Sequence, residues 1–215
     1  MLFIGIDVQI ARGLAVAVMD ARARVQRTAW YSAGQAQTTA ADLADRYPDA
    51  IVGIDAPRQP LKHPRRHYWT RNGWRHAKPG DRGQGRHCEV AIAALGLARP
   101  QWTPLRESAP AWMAEGFALF EAFKRQGMNA EEVFPSAAYR QLAEDTDAEL
   151  TMPLSGFAGG PKDMLDAVVA AFSVREFVQG RGCAVGGGDG LGRIVLPRPL
   201  QPGVRAGEVL VWPDR

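Results

Sequence analysis

Cysteine is nearly absent from this chain, which has only Cys88 and Cys183. Two thiols cannot build a disulfide framework, and they lack the paired spacing of a zinc ribbon, so both are read as reduced thiols without a role. Histidine is scarce and confined: His63, His67, His76 and His87 are the only four, and with Cys88 their spacing matches no closed zinc site. No uninterrupted apolar run approaches the ~20 residues of a membrane helix, and no basic stretch precedes the short apolar opening. A cytoplasmic protein with no membrane segment is therefore expected, its first residues structural. What remains is ordinary globular composition: 215 residues, 46% hydrophobic and 23% charged, enough for a single domain over 1–215.

The net charge of +3 is modest but unevenly placed. Residues 62–87 hold Lys62, Arg65, Arg66, Arg71, Arg75, Lys78, Arg82 and Arg86 against the single acid Asp81, a local balance of +7 that leaves −4 for the rest. A clustered positive patch attracts polyanions where a dispersed one does not.

Hydrophobic patterning predicts a three-strand meander: Leu2 to Val8, then Leu14 to Met19 after the turn at Gly13, then Ala23 to Tyr31. A short helix capped by Thr38 or Thr39, with Asp42 in its first turn, runs to about Tyr47, and a fourth strand from Asp49 to Asp55 stops before Pro57. Residues 57–87 are rich in Pro, Gly, Arg and His without apolar periodicity, and are expected to be a loop insertion. At about 30 residues it has the length of a functional or disordered loop. Helices are expected from His87 to Leu95, from an N-cap at Ser108 to the stop at Gly127, and from Ser136 to Glu144; a strand is expected at Glu131 to Phe134. Residues 145–160 read as mobile. Pro161 opens the most regular helix, ending near Val178 before Gly180. Arg193 to Leu196 and Glu208 to Trp212 are expected as the last strands.

The chemistry centres on carboxylates. Ile4-Gly5-Ile6-Asp7 and Val52-Gly53-Ile54-Asp55 each place an acid at the end of an apolar strand. Burying an unpaired carboxylate costs several kcal/mol, so such an acid faces solvent, a partner or a metal. Taken singly, each also reads as a strand-end or turn residue; the repeated setting favours a shared site. Asp163 and Asp166 lie three apart on one helix face, continued by the small Ala170 and Ser173. Asp163 falls in the first helical turn, where the helix dipole favours an acid whatever the function. Carboxylates gathered at strand ends and a facing helix need cations, and hard oxygen ligands suit Mg²⁺ or Mn²⁺. A pair of such ions serves phosphodiester hydrolysis.

The order β-β-β-α-β with an Asp in the first strand, an acid closing the fourth, and the helix Asp163-Met164-Leu165-Asp166-Ala167 resembles the RNase H-like superfamily, and the last helix is similar to that of RuvC-type Holliday-junction resolvases. The chain more closely resembles the family of predicted nucleases called domain of unknown function 429. The matching pieces are Gly5-Ile6-Asp7, Gly53-Ile54-Asp55-Ala56-Pro57, Arg86-His87-Cys88-Glu89, Glu132-Val133-Phe134-Pro135-Ser136-Ala137, Asp163 to Ala167 and Gly192-Arg193-Ile194-Val195-Leu196-Pro197. Each is short; the specificity lies in their order along nearly the whole chain. The resemblance implies an RNase H-like mixed sheet, the antiparallel meander joined by parallel strands and flanked by helices. It also implies a divalent-metal nuclease with Asp7, Asp55, Asp163 and Asp166 at the metal positions. Glu132 becomes a further catalytic candidate, as an extra ligand or a structural acid, and Glu89 a partner of Arg86.

Tyr68, Trp69 and Trp74 are interleaved with the loop's cations. Cations neutralise phosphates and aromatic faces stack on bases, so Arg65, Arg66, Trp69, Arg71, Trp74, Arg75, Lys78 and Arg86 are the candidate nucleic-acid contacts, whether to DNA or RNA. A solvated loop is the plain alternative. Two functional classes remain: a metal-dependent phosphodiesterase, or a catalytically inactive nucleic-acid-binding scaffold on the same fold. A phosphotransferase is disfavoured, because Asp7 is followed by Val8-Gln9-Ile10-Ala11-Arg12 rather than by the Gly and Thr of a phosphate-cradling hairpin.

Overall fold

The structure is a computed structural model that describes residues 1–143, 145, 150–152, 157, 159–200 and 206–213. The meander forms as expected, as β1 (Leu2–Gln9), β2 (Gly13–Asp20) and β3 (Val25–Tyr31). It leads through α1 (Ala36–Arg46) into β4 (Ile51–Asp55). The expected loop contains a two-stranded hairpin, β5 (His67–Thr70) and β6 (Gly73–His76), and is followed by α2 (His87–Ala94). Then come α3 (Ala111–Arg125), β7 (Ala130–Val133), α4 (Pro135–Leu142), α5 (Pro161–Val178), β8 (Cys183–Gly186), β9 (Arg193–Leu196) and a short α6 (Ala206–Val209).

Seven strands make one mixed sheet in the order β3-β2-β1-β4-β7-β9-β8. The meander is antiparallel, β1, β4, β7 and β9 run parallel, and β8 returns antiparallel along β9. Alternation along each strand sorts the side chains into two layers. Ile4, Ile6, Val8, Val52 and Ile54 pack with Leu43 of α1 and Leu119, Phe120 and Phe123 of α3 on one face. Phe3, Ala15, Ala17, Met19 and Val133 pack with α5 on the other.

The position of α5 follows from two missing side chains. A Cβ on Gly5 would lie 1.9 Å from the Ala167 carbonyl oxygen, and one on Gly53 would lie 2.8 Å from that of Ala170. The helix answers with Ala167, Ala170 and Ala171, so backbone rests almost on backbone across β1 and β4.

Several local expectations are corrected. Glu208 to Trp212 is not a strand: Val209 ends α6, and Trp212 is held by ring contacts with His67, Trp74 and His87. The outer strand beside β9 is instead β8, which its short, Gly-bounded run concealed. The hairpin was missed because four-residue strands rich in His, Trp and Arg carry no apolar period. α1 starts at Ala36, ahead of Thr38, and Asp42 sits mid-helix, where it accepts from the Tyr31 hydroxyl at 2.6 Å and from Arg46 at 2.8 Å. α3 is capped by Pro110, with Ser108 in a 3₁₀ turn. The mobile reading of 145–160 falls mostly outside the described residues; Thr151, which is described, accepts from the Val25 amide at 2.8 Å.

Replacing Gly5 with Ala forces α5 off the sheet. We expect a loss of about 1–3 kcal/mol or more in urea unfolding, against a change within about 0.5 kcal/mol for Gly207→Ala, where an added Cβ meets nothing within 4 Å.

Candidate metal centre

Asp7 and Asp55 are register partners in the parallel pair β1/β4, so they leave the sheet side by side. Each lies two residues beyond its glycine, on the face that carries α5. The close approach of the helix then lowers Asp166, one turn before Ala170, onto the same strand ends. One carboxylate oxygen from each of Asp7, Asp55 and Asp166 can be chosen so that all three lie within 4.8 Å of one another.

Asp7 and Asp166 are buried and Asp55 is partly buried. Asp7 Oδ2 is shielded from solvent and has no hydrogen-bond partner among the described residues. Burial, then the charge of Asp166, pushes the Asp7 carboxyl up to about 7, with the Gln9 side chain opposing. Burial, then Asp7 and Asp166, raises Asp55 well above the usual carboxylate range. These are the marks of a crowded anionic site short of positive charge.

The positive charge present comes from Lys162, whose Nζ donates to Asp166 Oδ2 at 2.5 Å while its side chain remains 75% exposed. The Tyr139 hydroxyl donates to the other oxygen of Asp166 at 2.7 Å and so fixes the rotation of that carboxylate. Asp163 is buried close by but turns to Arg12, whose Nε donates to it at 2.6 Å. The sequence therefore located three of its four metal candidates at one point, and the fourth is engaged by an arginine. Lys162 was legible as the i−4 neighbour of Asp166; Tyr139, from another helix, left no local signal.

Glu132 is not brought into the cluster. It is the register partner of Ile54, not of Asp55, so it faces the opposite side of the sheet. There it meets Arg86, which is fully buried at 0% exposure. Arg86 donates to both Glu132 oxygens at 2.6 and 2.5 Å and to Glu89 Oε1 from Nη2 at 2.8 Å. Glu132 also accepts from the Arg58 amide at 2.8 Å. The structural-acid alternative for Glu132 thus describes its contacts, and Arg86 is corrected from a nucleic-acid contact to a buried tie between β7 and α2.

Other loop candidates are likewise occupied. Arg75 makes a two-pronged pair with Asp81 at 2.7 Å to each oxygen. Trp74 stacks edgewise on Trp69 and Trp212 and donates to the Glu208 carbonyl at 3.1 Å. Arg65 is covered, whereas Arg66, Arg71 and Lys78 are exposed. A cavity of about 990 Å³ between α3 and the turn over 186–192 is lined by none of the three clustered acids. A small recess of about 50 Å³ does open beside Asp55, between Trp112 and Phe134.

No protein-family model, no curated protein and no solved structure matches this chain.

The donor set fits a hard divalent cation: three carboxylates, one with a buried oxygen that no described residue satisfies. Without such a cation, Asp7 keeps its proton in the folded chain up to about pH 7 and releases it near pH 4 when unfolded. The contribution of Asp7 to stability in EDTA therefore falls as pH rises from about 4 to 7. We expect pH-dependent urea melts of Asp7→Asn to lose part of that slope and to exceed the wild type by a few kcal/mol at most above pH 7, since each tenfold change in proton affinity is worth about 1.4 kcal/mol. Arg86→Ala, which strands two buried acids, should cost about 3–5 kcal/mol in the same assay, whereas Arg66→Ala should change little.

Proposed function

We propose that this chain is a divalent-metal-dependent nuclease of RNase H-like architecture. The observation that carries the reading is the convergence of Asp7, Asp55 and Asp166 with an unsatisfied buried oxygen on Asp7. The strand order supports it: an antiparallel meander whose first strand is central and pairs in parallel with a fourth strand ending in an acid. The element order agrees with the resemblance read from the sequence.

Asp7, Asp55 and Asp166 are the residues that would hold Mg²⁺ or Mn²⁺. Bound there, the metal supplies activation of water and stabilisation of a leaving oxygen in phosphodiester hydrolysis. The chain's own residues prepare the site. Tyr139 orients Asp166, and Arg12 holds Asp163 beside Asp7 without adding a free charge. Lys162 shields Asp166 through a long, mostly exposed side chain that can release it and turn to a phosphate oxygen. Exposed Arg66, Arg71 and Lys78 favour a polyanionic partner such as DNA or RNA.

The Lys162 to Asp166 pair favours a second reading, in which the ammonium is the resident counter-charge and the fold serves as a nucleic-acid-binding scaffold. Lys162→Met separates the two. Under the nuclease reading we expect Mn²⁺ to raise the Tm of the wild type and to bind Lys162→Met at least as tightly, with the response lost in Asp7→Asn and Asp166→Asn. A metal-dependent cleavage of DNA or RNA substrates that falls to background in Asp7→Asn completes the case. Under the scaffold reading Lys162→Met is destabilised and millimolar Mn²⁺ leaves every Tm unchanged.

A further inference from the structure

Arg65 is a buried cation without a matching acceptor. Its side chain is only 4% exposed, and its Nε and Nη1 are shielded and have no hydrogen-bond partner among the described residues. Among the described residues the carboxylate within ion-pair distance is Asp189, 3.9 Å from Nη2 and already used by the His87 amide at 2.7 Å and the Leu191 amide at 3.0 Å, with Glu89 acting from further away. The guanidinium lies over the Trp212 ring, its carbon 5.3 Å from the centroid, a contact that gives it a surface but no acceptor. A guanidinium has five donors in a fixed fork suited to a two-oxygen acceptor, and leaving them unmet in a covered position is costly.

The same side chain lines a cavity of about 180 Å³. Lys62 and Arg66 stand on its wall, both exposed and neither in an ion pair among the described residues, beside His63 and the apolar Leu61, Pro64, Leu191 and Trp212. Three cations thus meet one acid, Asp189, whose oxygens are already engaged. That balance suits a doubly charged oxyanion better than a single carboxylate.

We propose that this cavity is a phosphate-binding site in which Arg65 is the anchoring residue and Lys62 and Arg66 supply flanking charge. The covered nitrogens meet the anion as the guanidinium turns from Trp212 toward the cavity, a motion that the long contact to Asp189 barely restrains. The site is built from the 61–66 segment and the turn before β9, and none of the clustered acids lines it. It therefore does not depend on the metal chemistry. The phosphate group can come from the free anion or from a nucleotide chain, and both offer the same oxygens.

The test uses the full chain in EDTA, so that no divalent cation contributes. Inorganic phosphate is titrated at constant ionic strength against chloride, with Tm and calorimetry as readouts. We expect a saturable rise in Tm with phosphate and none with chloride, retained in Asp7→Asn. Arg65→Met should abolish the response and raise the Tm of the phosphate-free protein, because an unmet buried charge has been replaced by an apolar side chain of similar length. Arg65→Lys, which keeps the charge but loses the fork, should weaken binding at least tenfold. An equal response in Arg65→Met, or the same response with chloride, overturns the proposal. A phosphate response lost in Asp7→Asn also overturns it, since the anion would then be reporting on the acid cluster. Competition by a 5′-phosphorylated oligonucleotide and not by its unphosphorylated twin assigns the group to a nucleic-acid terminus. Competition by neither assigns it to the free anion.

Discussion

The contact between α5 and the bare backbone of Gly5 and Gly53 is the constraint on which the rest of the molecule hangs. A helix can approach a sheet this closely only where the strands present no Cβ, and here Ala167, Ala170 and Ala171 oppose them, with the Val174 side chain filling the space over Gly53. The same approach that closes one half of the core brings Asp166 down onto Asp7 and Asp55. Packing and site are therefore one construction. The apolar contact holds three carboxyl groups together at a separation at which they cannot all ionise without a cation.

That electrostatic conflict explains the neighbours of the cluster. Lys162 and Tyr139 both donate to Asp166, and Arg12 takes up Asp163, yet Asp7 retains an oxygen that no described residue satisfies. The chain neutralises the margins of the site and leaves its middle acidic. A stability-driven sequence would place an apolar side chain or a cation there, and the retained carboxyl group is what makes the position a candidate for a bound metal.

The basic loop follows the opposite logic. Its composition promised a solvated, polyanion-facing strip, but Arg65, Arg75 and Arg86 and the rings of His67, Tyr68, Trp74 and His87 are engaged within the chain. Arg86 ties two buried glutamates, Arg75 holds Asp81, and Trp74 joins Trp69, His87 and Trp212 in an aromatic cluster that fastens the hairpin to the chain's last described helix. Composition counts charges without revealing which of them have partners elsewhere in the chain. Arg65, buried without an adequate acceptor, could be told from Arg86, buried with two, only once the glutamates and Asp189 were placed.

Features that are local or strictly periodic could be read directly from the order of residues. Alternating apolar strands, the glycine two residues before each strand-end acid, the i, i+3 acids of α5 and its Pro and Gly boundaries all follow from rules spanning a few residues, and each was legible. Pairing across long separations depended on the folded chain. The parallel registers of β1, β4 and β7 put Asp7 beside Asp55 and sent Glu132 to the other face, a difference of one residue in alternation that no single strand reveals. Tyr139 reaches Asp166 from another helix and Arg12 reaches Asp163 from the first hairpin, contacts that exist only because the sheet and α5 fix where those segments meet.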